Sequence, residues 1–152
     1  MSTLKDQLRT DLTSAMKARD KDRAGTLRMV MASITEAEVA GKEAKELTDD
    51  EIITILTREA KKRREAATAF AEGGRTEQAE KETAEAAVIT EYLPAQLSAE
   101  EISDMVSKAI AQTGAADEGM RAMGKVMGIL TPQTKGRADG GAVAAEVRKQ
   151  LA

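Results

Sequence analysis

Residues 135–141 read Lys-Gly-Arg-Ala-Asp-Gly-Gly, which places cations and flexible backbone at a predicted helix start. Such a stretch can bind an anion in two ways. Glycine-rich backbone can aim N–H groups and the positive end of a helix dipole at a phosphate. Basic side chains can reach the phosphate directly. Asp139 weighs against the first route, because at the N-cap it takes up the free N–H groups and repels an anion. No Walker pattern surrounds these glycines. Lys125, Lys135, Arg137, Arg148 and Lys149 are the better candidates for nucleic-acid phosphates, and a solvated polar face accounts for the same residues. Their surroundings favour an anionic partner. Residues 121–152 carry six Lys/Arg against two Asp/Glu, whereas residues 1–120 carry seventeen against twenty-four, a contrast hidden by the whole-chain charge of -3.

A second basic run stands at Arg58, Lys61, Lys62, Arg63 and Arg64. At 100 degrees per residue Arg58, Lys61, Lys62 and Arg64 share one broad side of a helix, interrupted by Glu59 and Glu65. Helical ion pairs explain such a run, and a secondary nucleic-acid surface is the other reading. Phe70 and Tyr92 are the only aromatic residues, too few for a base-stacking platform, so any RNA contact relies on shape and backbone.

Catalytic chemistry is narrowly bounded. Without Cys or His there is no thiolate nucleophile, no imidazole metal ligand and no Ser-His-Asp triad. The carboxylates Glu36, Glu38, Asp49–Glu51 and those from Glu77 to Glu91 have neither calcium-loop spacing nor an acid/base partner. Ser2, Ser14, Ser33, Ser98, Ser103 and Ser107 lack a strained-turn signature. No catalytic residue, no metal and no cofactor is expected from these residues.

The elements that position these residues are all helices. Leu4, Leu8, Leu12, Ala15 and Met16 recur at helical spacing, and the pattern restarts after Arg19–Arg23 with Leu27, Val30, Met31, Ile34 and Ala37. Thr48 and Glu51 suggest a capping box for a third helix, whose apolar face is Ile52, Ile53, Leu56, Ala60, Ala67 and Phe70 and which Gly73–Gly74 stop. A fourth spans about 76–92. Pro94 breaks the pattern, so Tyr92 and Pro94 mark a hinge, with Tyr92 able to pin the two sides together. Ser98 and Glu101 form a second capping box ahead of Ile102, Met105, Val106, Ala109 and Ile110. Met120, Met123, Met127 and Leu130 line the next helix, which Pro132 and Gly136 end. Asp139 caps the last, with Val143, Val147 and Leu151 buried. The expected fold is all-α: an N-terminal four-helix unit over 1–93 and a C-terminal three-helix unit over 94–152. Aliphatic side chains and eight methionines must pack it, and methionine also lends itself to adaptable binding surfaces. The N-terminus has no secretory apolar region and no stretch is long enough for a membrane span, so a cytoplasmic protein without a membrane partner is expected.

Taken in order, the motifs resemble the GatB/YqeY family in its small free-standing form, over nearly the full chain. They are Ala15-Met16-Lys17-Ala18-Arg19-Asp20, Leu27-Arg28-Met29, Glu38-Val39, Lys61–Glu65, Gly74-Arg75, and Glu82 with Glu85. The hinge adds Glu91-Tyr92-Leu93-Pro94-Ala95-Gln96-Leu97-Ser98. The C-terminal part adds Met123-Gly124-Lys125-Val126-Met127, Leu130 and Gly136-Arg137-Ala138-Asp139-Gly140. The resemblance implies a helical fold shared with the tail of the B subunit of tRNA-dependent amidotransferase, which contacts the outer corner of tRNA. Similar modules are attached to some glutaminyl-tRNA synthetases. Lys125, Gly136 and Arg137 would then lie on the tRNA-facing tail, with Lys135, Arg148 and Lys149 completing an RNA-binding set. The amidotransferase's kinase-like cradle domain and amidase subunit have no counterpart, so its carbon-nitrogen ligase activity with glutamine as amido-N-donor lacks machinery here.

Three functions follow from these residues. The leading one is a non-catalytic tRNA-binding or tRNA-enzyme accessory module, with tRNA rather than DNA as partner. The second is an adaptor docking on an aminoacyl-tRNA synthetase or amidotransferase subunit. The third is an enzyme acting in amide transfer.

Overall fold

The computed structural model describes residues 2–152, and every regular element in them is helical. The order is α1 (Thr3–Lys17), α2 (Lys21–Val39), α3 (Asp49–Glu72), α4 (Thr76–Thr90), α5 (Ala99–Thr113), α6 (Met123–Thr134) and α7 (Gly140–Leu151). Two 3₁₀ turns, Ala115–Asp117 and Gly119–Ala122, lead from α5 into α6. The chain divides into two compact units, Met1–Leu93 and Pro94–Ala152.

In the first unit local chemistry starts the helices. The Ser2, Asp20 and Thr48 side chains accept the N–H of Lys5, Arg23 and Glu51 respectively, each satisfying a donor that the first turn leaves free. Thr48 supplies only its half of a capping box, since the Glu51 carboxylate turns to Lys45 at 3.2 Å. Leu8, Leu27, Val30, Ile34, Ile52, Leu56 and Ile89 build the core, closed at one edge by Leu47. Asp49, at the start of α3, accepts from the Ser2 and Thr3 hydroxyls and the Leu4 N–H, joining the starts of α1 and α3. The α3–α4 hairpin turns at Gly74, whose φ of 76° lies in the left-handed region that a side chain disfavours. Beyond Ala60 the α3 half of that hairpin buries nothing completely, and Phe70, expected in the core, is only partly covered.

The second unit opens with the complete capping box of Ser98 and Glu101. Its core is Val106, Ile110, Ala122, Val126, Leu130, Val143, Val147 and Leu151. Three sequence expectations are corrected. Pro132 does not end α6, which continues through it to Thr134. The N–H that Pro132 lacks would have bonded the Gly128 carbonyl, and both residues are solvent-exposed, so water can replace the bond. The stop comes later, where Lys135 leaves helical dihedrals and Gly136 takes φ 73°. Met16 and Met120, assigned to buried stripes, are each 51% exposed. Met120 lies in a 3₁₀ turn, and Met16 at the end of α1 meets no covering helix. The Tyr92 hydroxyl, proposed to pin two domains, donates instead to Asp11 of α1, within the first unit.

Candidate nucleic-acid interface

In the second unit the loop between α6 and α7 is built around Gly136. The carbonyl oxygen of this buried residue accepts from Gln96 Nε2 at 2.7 Å, and Arg137 O accepts the Leu97 N–H at 2.8 Å. Gly136 therefore offers little backbone to an anion, and its role is to form the turn. Arg137 is half-buried, with Nε donating to Ala95 O at 3.1 Å. That bond orients the guanidinium, and the terminal nitrogens are left to face a ligand. Lys135, beside it, is exposed.

At the other end of α7, Arg148 and Lys149 are exposed on the last turn, where cations also complement the helix dipole. Gln150 holds this turn in place. Its Nε2 donates to Ser103 O at 3.0 Å and to Glu146 Oε1 at 2.8 Å, and its Oε1 accepts from Ser107 at 2.8 Å. The Gln150 hydrogen bond is the main cause that keeps the Glu146 carboxyl below its ordinary value. From the start of α7 at Gly140 to Arg148 and Lys149 the helix rises ~12–14 Å, and Lys135 and Arg137 stand on the loop that precedes that start. One phosphate cannot span that distance, whereas an extended polyanion can touch both ends. Lys125 on the first turn of α6 is exposed and ion-paired with Glu118 at 3.2 Å. Pro94–Ala152 as a whole holds seven Lys/Arg and seven Asp/Glu, so any positive field comes from segregation of charge within the unit.

On α3 the structure separates residues that the sequence grouped. Arg58, Lys61, Lys62 and Arg64 are exposed, with Lys62 paired to Glu59 at 3.3 Å. Arg63 points the other way. Its guanidinium lies 3.2 Å from Glu59, 3.6 Å from Glu82 and 3.9 Å from Glu85, and it touches the Met29 sulfur at 2.8 Å. Glu59 is 6% exposed, and Ser33 donates to it at 3.4 Å. Burial, then the neighbouring Glu82, pushes the Glu85 carboxyl above its ordinary value. This cluster ties α3 to α2 and α4, and sequence reasoning missed Arg63 as its centre. The spacing of Glu59 and Arg63, four apart on one helix, and of Glu82 and Glu85, three apart on the next, was the available signal. Among the described residues no group of three or more acidic side chains is arranged to hold a metal ion.

Comparison with known proteins covers both units. Residues 5–151 match a family model described as Yqey-like protein. A Schizosaccharomyces pombe protein, "Uncharacterized protein C22F3.15", is 34% identical over 88 residues, covering 57% of this chain and 69% of the relative. A Pyrenophora tritici-repentis protein named "Altered inheritance of mitochondria protein 41, mitochondrial" is 30% identical over 136 residues, 87% of this chain and 71% of the relative.

Proposed function

The chain belongs to the YqeY-like protein family, and from that premise we propose that it is a tRNA-binding accessory module that brings no catalytic group of its own. One observation carries the reading: exposed cations flank α7, Lys135 before its start and Arg148 and Lys149 ~12–14 Å of helical rise beyond it, on a unit whose remaining charges balance them. Lys135, Arg148 and Lys149 contact phosphates; Arg137 adds a guanidinium oriented by Ala95; Lys125 joins by exchanging Glu118 for a phosphate. Gly136 supports the loop. The exposed Arg58, Lys61, Lys62 and Arg64 form a weaker secondary surface, diluted by Glu59 and Glu65. The amidotransferase tail offers the same kind of contact to a tRNA corner, and a synthetase or amidotransferase subunit would supply the chemistry. The module would serve translation equally in the cytoplasm or in a mitochondrion, the compartment named for one relative.

The test is fluorescence anisotropy of labelled tRNA against salt. The Lys135→Ala, Arg148→Ala, Lys149→Ala triple variant spares Arg137, which holds the loop. It should bind more weakly, with the slope of log affinity against log salt reduced by up to ~0.9 per lost contact. Unchanged affinity and slope would remove this surface from consideration.

A further inference from the structure

We propose that the corner between α1 and α2 is a docking groove for an acidic segment of a protein partner, anchored by one apolar side chain. This site is independent of the RNA surface and lies wholly in the first unit. The groove has a volume of about 500 Å³, with Ala15, Met16 and Ala24 as its floor and Arg19, Lys21 and Arg28 around them. Ala15 and Ala24 are buried and small, which leaves a depression, whereas Met16 is 51% exposed beside it. A flexible, polarisable thioether on such a floor adapts to an incoming Leu, Met or Phe side chain.

The charge around that floor selects the partner. Lys17, Arg19, Lys21, Arg23 and Arg28 face only Asp20 and Asp22 in this stretch. Asp20 is occupied as the cap of α2, accepting the Arg23 N–H at 3.1 Å, and Arg23 pairs with Glu91 at 2.7 Å. Arg19, Lys21 and Arg28 form no ion pair among the described residues. Arg19 is also the one described residue other than glycine with a left-handed backbone, φ 58°. It closes α1 by donating its N–H to Met16 O at 3.1 Å, while the Asp20 N–H reaches Ala15 O at 2.9 Å. Glycine would make this turn without strain. An arginine there places a cation on the groove at the expense of backbone comfort, as strained positions at binding sites do.

Two features favour an acidic peptide over a nucleic acid. The unit as a whole is acidic, with sixteen Lys/Arg against nineteen Asp/Glu up to Leu93, so a long polyanion seated on this corner meets net repulsion away from the local cation clusters. A short segment feels mainly the trio, because screening limits the field to about 8 Å at physiological salt. An apolar floor, moreover, has nothing to offer a phosphate backbone.

The probe is a 12-residue helical peptide carrying two leucines on one face and glutamates around them, titrated into the full-length ¹⁵N-labelled protein. Amide shifts should concentrate in residues 15–28. A control peptide with both leucines replaced by alanine should bind at least fivefold more weakly, as should a glutamine-for-glutamate control. Arg19→Gly removes the cation and relieves the backbone, so its Tm should be equal or higher while peptide affinity falls about fivefold. Unaltered peptide affinity in Arg19→Gly, equal binding of the leucine-free control, or no shifts at millimolar peptide would each overturn the proposal. Preferential movement of residues 15–28 by tRNA would also overturn it, assigning the groove to nucleic acid.

Discussion

Tyr92 is the sole tyrosine of the chain, so its ionisation can be followed by ultraviolet absorbance without ambiguity. Burial, reinforced by its hydrogen bond to the Asp11 carboxylate, pushes its pKa up to about 12. The phenol is held neutral, so its contribution to stability is complete below the ordinary tyrosine value. It is lost as pH rises through the folded value. Tyrosinate absorbance should therefore appear near pH 12 in the native protein and near pH 10 in urea. Coincident midpoints would refute the buried bond to Asp11. The sequence marked Tyr92 by its rarity and its place before Pro94, but not its partner. Asp11 is 81 residues away, and only the packing of α1 and α4 against the shared helices α2 and α3 brings them together.

Among the elements, the α3–α4 hairpin depends most on a single side chain. Its α3 half carries no fully buried apolar residue beyond Ala60, so little apolar burial holds that half down. Arg63 compensates by gathering Glu59, Glu82 and Glu85. Replacing it with Met keeps the bulk and leaves Glu59 buried without its main partner, which should cost on the order of 3 kcal/mol. Arg64→Ala, one position along and exposed, should cost less than ~0.5 kcal/mol. Urea unfolding of the two variants decides the matter, and equal losses would mean that the cluster is not structural. The helix starts here were legible in advance, since Thr48, Ser98 and Asp139 act on N–H groups three residues away or fewer. The persistence of α6 through Pro132 was not, because the penalty depends on whether the orphaned carbonyl faces water.

For the whole molecule, acid response follows from how carboxylates are held. The Ser2 hydroxyl, then that of Thr3, keeps Asp49 below the usual carboxylate range; Lys5, at 2.8 Å, does the same for Glu38. Groups lowered in this way stabilise the fold above their ordinary values, and the benefit is lost as pH falls through the folded values. Glu85, raised by burial and by Glu82, has the opposite sign and offsets part of the loss. Thermal melts between pH 7 and pH 2 should show Tm declining below roughly pH 4. The decline should be steeper in Glu85→Gln and shallower in Asp49→Asn, which begins less stable at pH 7. Parallel curves for all three proteins would contradict these assignments.

The sequence by itself determined the helical class, the cap residues and the clustering of glycine and cations towards the C-terminus. Each of these rests on local chemistry: helical periodicity, a side chain meeting a nearby N–H, or charge counted along the chain. Tertiary structure alone decided which charges remain available. Arg63 turns inward and Arg64 outward, Lys125 meets Glu118, and Arg137 is half-committed to Ala95. It also left Met16 exposed beside three cations, where periodicity had placed it in a core. Periodicity identifies the apolar face of a helix, but burial depends on whether another helix arrives to cover it, and at the α1–α2 corner none does.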